Sequence, residues 1–161
     1  SMPGVLSTDM VRRMAKDPII FALANPTPEI MPEVAHSVRS DVIMATGRSD
    51  YPNQVNNALC FPYIFRGALD VGATTVNEEM KIACVRAIAA MAHVEATPTA
   101  NVRNIENIAR FGANYLIPGP LEPNLIIEIA SAVAQAAMDS GVATLPIDDM
   151  QAYRQRLSEF V

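Results

Sequence analysis

Two short apolar stretches decide the fold of this chain: Pro18–Glu29, which reads PIIFALANPTPE, and Asp41–Arg48, which reads DVIMATGR. Within them, Ile19–Ala24 and Val42–Ala45 are apolar without alternation, which is typical of strands covered on both faces in a parallel sheet. The strands are about 20 residues apart with a short helix between, the length of a compact, right-handed βαβ crossover. Each strand ends in a polar loop, and ligands bind open α/β sheets at the carboxyl ends of the strands.

The remaining pattern predicts mainly helices. Apolar residues recur at helical spacing, and Ser, Thr, Asn, Pro and Gly mark the expected ends. In the first half of the chain we expect a helix capped by Ser7 that runs to about Lys16, a short helix begun by Pro28 or Pro32, and Pro52–Leu69 with a kink or break at Pro62. The capping box Thr75–Glu78 is expected to open a helix that runs to about Val94, followed by a short helix Asn104–Ala109. The last two expected helices are Leu125–Ser140, capped by Asn124 and ended by Gly141, and a polar C-terminal helix that carries Met150, Tyr153 and Leu157.

Composition places the chain among globular proteins. Its length of 161 residues is enough for one domain with a buried core. The residues are 50% hydrophobic, and the net charge is −5. The chain has neither a basic stripe nor an apolar run of roughly 18 residues, so we expect no nucleic-acid and no membrane partner. Cys60 and Cys84 lack metal-binding spacing and are interpreted as buried free thiols of a reducing cytoplasm. Residues 1–2 resemble a tag remnant.

Three asparagines are the candidate ligand-binding side chains. Asn25 follows the first strand, and its amide can both donate and accept hydrogen bonds, which suits a carboxamide, a ribose hydroxyl or a carboxylate. Asn56 and Asn57 lie near a predicted helix start, where free N–H groups favour a small carboxylate. From spacing alone, a strand-end turn residue and a pair of capping amides remain open alternatives.

The loop after the second strand, Thr46–Asp50, holds two further candidates. Gly47 permits close approach of a ligand to the backbone, and Arg48 suits a phosphate or a carboxylate. Neither GxGxxG nor GxxxxGK occurs in the sequence, so no phosphate-binding loop is predicted. The histidines and tyrosines have no identifiable catalytic partner in the sequence pattern.

Three blocks resemble signatures of the malic enzymes, in the same order and at matching spacing. They are Phe21–Ile30 (FALANPTPEI), Ala45–Asn57 (ATGRSDYPNQVNN) and Phe61–Gly72 (FPYIFRGALDVG). The resemblance extends from about Pro3 to Ala143. Ser140–Ile147 is most similar to bacterial malic enzymes that continue into a phosphotransacetylase-like domain.

The resemblance implies a fold and a function. The fold is α/β: the C-terminal part of a Rossmann-like doubly wound sheet, with two retained core strands and several covering helices. The implied activity is oxidative decarboxylation of malate to pyruvate and CO₂, with reduction of NAD or NADP and a divalent cation, Mg²⁺ or Mn²⁺. Asn25 maps to an asparagine that contacts substrate and cofactor, Gly47 lies on the cofactor side, and at least one of Asn56 and Asn57 contacts malate.

In the family, the catalytic tyrosine and lysine, the acidic metal ligands and the Gly-rich turn precede the first of these blocks. We therefore expect no catalytic or metal-ligating residue in this chain, and an inactive fragment of a cytoplasmic, homo-oligomeric enzyme. Residues 3–145 are expected to be the C-terminal part of the cofactor-binding domain, and residues 146–161 a helix or linker toward a following domain. The alternative function is a non-catalytic helical assembly module.

Overall fold

The computed structural model of the chain describes residues 2–94 and 110–161. The chain forms two compact units, Ser1–Asn56 with Phe111–Ile117 and Asn57–Arg110 with Pro118–Val161. The predicted helix Asn104–Ala109 lies outside the described residues. None of the helices in the described ranges is long and apolar enough to cross a bilayer.

The first unit contains the predicted pair of parallel strands. Strand β1 (Ile19–Ala22) pairs in parallel with β2 (Ile43–Thr46), and Ala22 lies opposite Thr46 at the carboxyl end. Helices α1 (Thr8–Arg12) and α2 (Pro32–Val38) accompany them. A buried cluster joins both helices to one face of the sheet: Val11, Ile20, Ala22, Ile30, Ala35, Val42 and Met44.

The expectation that β1 is covered on both faces is wrong for the described part of the chain. Ile20 and Ala22 are buried, whereas Ile19 and Phe21 are 57% and 60% exposed. The physical reason is that the buried cluster with α1 and α2 involves only the Ile20 and Ala22 side of the strand. The continuous apolar run of β1 therefore includes one buried face and one exposed apolar face.

Helix α1 begins as predicted, because the Ser7 side chain accepts a hydrogen bond from the Met10 amide. It ends at Arg12 rather than near Lys16. The Arg39 guanidinium donates to the Met14 carbonyl at 2.6 Å, so the chain beyond the helix is held by a residue from after α2.

The second unit is helical in its described residues. It contains a 3₁₀ turn (Asn57–Leu59) and helices α3 (Tyr63–Asp70), α4 (Glu78–Met91), α5 (Leu125–Asp139) and α6 (Met150–Ser158). Helix α5 packs against the other three helices and provides more buried apolar side chains than any other helix described in this unit. Gly141, at a φ of 73°, follows α5 as the predicted helix-ending glycine.

Two predicted caps are corrected. The N-cap of α4 is Asn77 rather than Thr75, because the Asn77 side chain accepts from the Met80 amide at 3.0 Å. Asn124 occupies the N-cap position of α5, but its side chain makes no capping hydrogen bond and donates to Glu122 instead.

The stretch after β2 also differs from its prediction. Residues 52–56 are not helical, because Asn53 adopts a left-handed φ of 54° and Gln54 bridges to Thr46 of β2. The predicted break at Pro62 is confirmed, since that residue separates the 3₁₀ turn from α3.

Both cysteines are free. Cys84 is buried as expected, and burial raises the pKa of its thiol to about 11. Cys60 is only half-buried, which corrects the prediction for that residue.

Candidate functional site at the carboxyl ends of the strands

The parallel pairing of β1 and β2 brings their following loops to one edge of the sheet. Because Ala22 lies opposite Thr46, the chain leaves both strands at the same level. Asn25 follows β1 by three residues, and Gly47 follows β2 directly. This edge is where ligands bind in open α/β sheets.

The structure brings Asn25 and Gly47 into direct proximity. A Cβ atom placed on Gly47 would lie 2.9 Å from Nδ2 and 3.0 Å from Oδ1 of Asn25. The Asn25 carboxamide therefore occupies the space that a side chain at position 47 would need. Asn25 is itself exposed, so its amide remains available to a ligand.

The loop that carries Asn25 is held by Glu29. The Glu29 carboxylate accepts a hydrogen bond from the Ala24 amide at 3.0 Å, which closes the loop over five residues. The Glu29 carbonyl accepts from the Leu6 amide at 3.1 Å. This role of Glu29 was not predicted from the sequence, although an ionised carboxylate is a hydrogen-bond acceptor that can hold loop N–H groups.

The end of β2 is held by the segment that follows it. The Thr46 carbonyl accepts from the Val55 amide at 2.8 Å, and the Thr46 hydroxyl accepts from the Arg48 amide at 3.2 Å. The Gln54 side chain donates to the Gly47 carbonyl at 3.4 Å. The backbone around Gly47 is thus fixed on both sides.

Asn53 is a buried polar residue that the sequence analysis did not single out. Its Nδ2 donates to the carbonyls of Met44 and Ala113, at 3.0 and 2.8 Å, and its Oδ1 accepts from the Leu116 amide at 2.8 Å. Every polar atom of this side chain is satisfied. Asn53 therefore joins β2 to residues 111–117 of the same unit.

Arg48 is already engaged by a neighbouring carboxylate. Its Nε and Nη2 donate to the two oxygens of Asp50, at 2.9 and 2.6 Å, and its guanidinium lies 5.3 Å from the centroid of the Tyr51 ring. Hydrogen bonding to Arg48 lowers the pKa of Asp50. This pairing makes Arg48 a poorer candidate for a ligand anion than its position in the sequence indicated.

Tyr51 has a partner that the sequence did not reveal. Its hydroxyl donates to Glu33 Oε2 at 2.9 Å, and this hydrogen bond raises the pKa of Tyr51. The phenol is therefore a hydrogen-bond donor at neutral pH. Tyr51 and Glu33 also line a cavity of about 260 Å³, together with Pro32, His36, Met44, Pro52 and Asn114.

Asn56 and Asn57 fall on either side of the division between the units. Asn56 is half-buried and is the last residue of the segment 1–56 in the first unit. Asn57 is exposed and is the first residue of the 3₁₀ turn in the second unit. The predicted helix start is therefore a single 3₁₀ turn. The Asn57 carbonyl accepts from the amides of Cys60 and Phe61, which are the backbone hydrogen bonds of this turn.

The described residues do not fit a divalent-cation site. Within residues 2–94 and 110–161, no three His, Cys, Asp or Glu side chains cluster closely enough to hold a metal ion. Asn25, after β1, carries an amide, which suits neutral hydrogen-bond recognition of a ligand.

Two parallel strands joined through a helix, with their carboxyl ends at one edge, are typical of α/β domains with a Rossmann-like sheet. Residues 1–114 match the family model described as "Malic enzyme, NAD binding domain". The match covers most of the chain, and the chain belongs to the malic enzyme NAD-binding domain family.

Relatives and solved structures agree with this assignment. The chain is 60% identical over its whole length to the NADP-dependent malic enzyme of Salmonella typhimurium and 58% identical to the NAD-dependent malic enzyme of Rhizobium meliloti. The crystal structure of a malic enzyme from Pyrococcus horikoshii covers 99% of the chain with a TM-score of 0.77 and 40% identity. The chain spans 21% of each of those two bacterial relatives and 33% of the Pyrococcus chain.

Proposed function

We propose that the protein to which this chain belongs oxidatively decarboxylates malate to pyruvate and CO₂ while reducing NAD or NADP. The observation that carries the proposal is the contact between Asn25 and Gly47 at the carboxyl edge of a parallel strand pair, in a chain of the malic enzyme NAD-binding domain family. Family membership does not favour the alternative of a non-catalytic assembly module.

In this proposal the chain contributes one wall of the active site. Asn25 orients malate and the nicotinamide end of the cofactor, because its exposed carboxamide offers both a donor and an acceptor. Gly47 lies on the cofactor side, and Asn56 and Asn57 hold the malate carboxylate. Hydride acceptance is the chemistry that a nicotinamide dinucleotide supplies when it is bound.

Other parts of the proposal concern the whole protein. We propose Mg²⁺ or Mn²⁺ as the metal ion, with ligands from outside the residues described above. We also propose that the protein is a homo-oligomer and that it lies in the cytoplasm. The cytoplasmic location is supported by the two free cysteines, because a reducing compartment keeps thiols free. The relatives include enzymes named for either dinucleotide, and the choice between NAD and NADP is open to direct assay.

The test is a kinetic assay of the full-length protein and its Asn25→Ala variant. We expect malate-dependent reduction of NAD or NADP, abolished by a chelator and restored by Mg²⁺ or Mn²⁺. Loss of an orienting hydrogen bond in Asn25→Ala should lower kcat/KM roughly 5- to 150-fold, equivalent to about 1–3 kcal/mol, with little change in melting temperature.

Gln151→Ala is the matched control, because Gln151 is an exposed amide on α6. It should leave kcat/KM unchanged. The chain by itself should show no malate-dependent reduction above background. Absence of this activity in the full-length protein, or equal kinetics in the Asn25 variant and the wild type, would contradict the proposal.

A further inference from the structure

We propose that Gly47 is a positioning residue that acts through Asn25, rather than a residue that contacts the ligand itself. The inference rests on the proposed function, in which Asn25 orients malate and cofactor. The absence of a side chain at position 47 lets the Asn25 carboxamide lie against the end of β2. The end of β2 then fixes the position of the Asn25 carboxamide, and that carboxamide orients the ligand.

Gly47 is needed for the space that it leaves free and not for its backbone conformation. The residues of the described chain with positive φ include Gly4, Gly72 and Gly141 but not Gly47. Alanine can therefore adopt the backbone conformation of position 47 without strain. What alanine adds is a methyl group 2.9–3.3 Å from three atoms of one carboxamide.

The backbone cannot easily yield to that methyl group. The Thr46 carbonyl and the Gly47 carbonyl are both held by the segment after β2, through Val55 and Gln54. The Asn25 loop is held by the hydrogen bond between the Ala24 amide and Glu29.

The Asn25 side chain can yield. The three atoms nearest to the added Cβ are Nδ2, Oδ1 and Cγ of Asn25, at the end of an exposed side chain that turns about its own torsions. A methyl group at position 47 should therefore rotate the carboxamide at little cost in stability. The same rotation removes the orientation that the ligand requires.

Gly67 on α3 shows the opposite case in the second unit. A Cβ there would clash with the Ala130 carbonyl oxygen and would lie 2.9 Å from the Val133 side chain of α5. Backbone of a packed helix cannot rotate away, so Gly67→Ala should lower the melting temperature. Gly119, where an added Cβ meets no atom within 4 Å, provides a neutral glycine control.

The experiment is a double-mutant cycle in the full-length protein with Asn25→Ala, Gly47→Ala and both together. We expect each single variant to lower kcat/KM by at least roughly fivefold, and the double variant to lie within roughly twofold of Asn25→Ala. Melting temperatures should stay near that of the wild type, as in Gly119→Ala and unlike Gly67→Ala.

The outcomes separate the two proposals. If Asn25→Ala alone has wild-type kinetics, the proposed function of Asn25 fails. If Asn25→Ala is impaired and Gly47→Ala costs the same factor in both backgrounds, Gly47 contacts the ligand directly and the inference fails. A wild-type rate in Gly47→Ala overturns it as well.

A folding defect in Gly47→Ala is also informative. If the added methyl acts through the Asn25 carboxamide, removal of that carboxamide in the double variant should restore the melting temperature. If the double variant remains as unstable as Gly47→Ala, the methyl clashes elsewhere and the inference is overturned.

Discussion

Asn57 is exposed at the start of a 3₁₀ turn, and its carbonyl is already used within that turn. Its side-chain amide is the group left for a substrate carboxylate in the proposed function. We predict that Asn57→Ala in the full-length protein raises KM for malate, or lowers kcat, more than it changes the affinity for the dinucleotide. Steady-state kinetics with each substrate varied in turn would test this.

Cofactor affinity, measured by fluorescence titration, serves as the internal control for Asn57→Ala. Weakened dinucleotide binding with unaltered malate saturation would assign the residue to the other ligand.

At the residue scale, the sequence predicted the placement of Asn25 and Gly47 but not of their supports. Two apolar runs at βαβ spacing imply parallel strands, and parallel strands bring their following residues to one edge. Asn53 could not be found this way, because its hydrogen-bond partners Ala113 and Leu116 are 60 and 63 positions away. The pairing of Arg48 with Asp50 could not be predicted either, because that contact leaves no periodic signal in the sequence.

Among the elements, α4 offers a direct test of its cap. The Asn77 side chain accepts from the Met80 amide and donates to the Ser140 hydroxyl, whereas Thr75 is exposed. We predict that Asn77→Ala lowers the free energy of unfolding by about 1 kcal/mol, as removal of an N-cap usually does. Thr75→Ala is the matched control and should change it by less than about 0.5 kcal/mol. Chemical denaturation would measure both variants. If Asn77→Ala and Thr75→Ala lowered the free energy of unfolding equally, the capping box Thr75–Glu78 would be supported instead.

The Asp41 carboxylate joins the segments that lead into β1 and β2. Asp41 accepts two hydrogen bonds from Arg39, at 2.9 and 2.6 Å, and one from the Asp17 amide at 2.9 Å. These bonds, with Arg39 as the main cause, hold the pKa of Asp41 well below its usual range. Because the folded chain binds this proton less readily than the unfolded chain, the stabilisation is present above the ordinary aspartate pKa of about 4 and is lost as the pH falls below it.

We therefore predict that Asp41→Asn flattens the acid side of the stability profile. The free energy of unfolding of the wild type should fall more steeply than that of the variant as the pH decreases from about 5 toward 2. Urea titrations at a series of pH values would measure both curves. Parallel curves would show that Asp41 is not responsible for the acid sensitivity.

Element types were largely predictable, and element ends were less so. Prolines and the Ser7 cap marked real boundaries because they act through local backbone chemistry. The predicted end of α1 was too late, and the chain just beyond the helix is held by Arg39, 25 positions after Met14, a contact that periodicity does not reveal. The coverage of β1 likewise depends on which residues pack on each face, and an apolar run does not contain that information.

For the whole molecule, the exposed face and edge of β1 indicate association. Ile19, Phe21 and Leu23 are between 40% and 60% exposed, and in the described two-stranded sheet the edge of β1 away from β2 is unpaired. Such an edge is a template for pairing with another chain. We predict that this chain, isolated at about 100 µM, forms dimers or larger species in light-scattering measurements.

Phe21→Lys is the variant to compare, because an edge charge opposes pairing. It should shift the isolated chain toward the monomer. A monodisperse monomer of the unaltered chain would contradict the prediction.

The hydrogen bond from the Leu116 amide to Asn53 Oδ1 has a consequence for protein engineering. The family match ends at residue 114, two positions before the amide on which that buried side chain depends. A chimera joined at residue 114 would pair Asn53 from one parent with a backbone from another, and a truncation there would leave a buried oxygen without its donor, at a cost of about 1–3 kcal/mol. Grafts between relatives should therefore carry residues 111–117 together with residues 1–56.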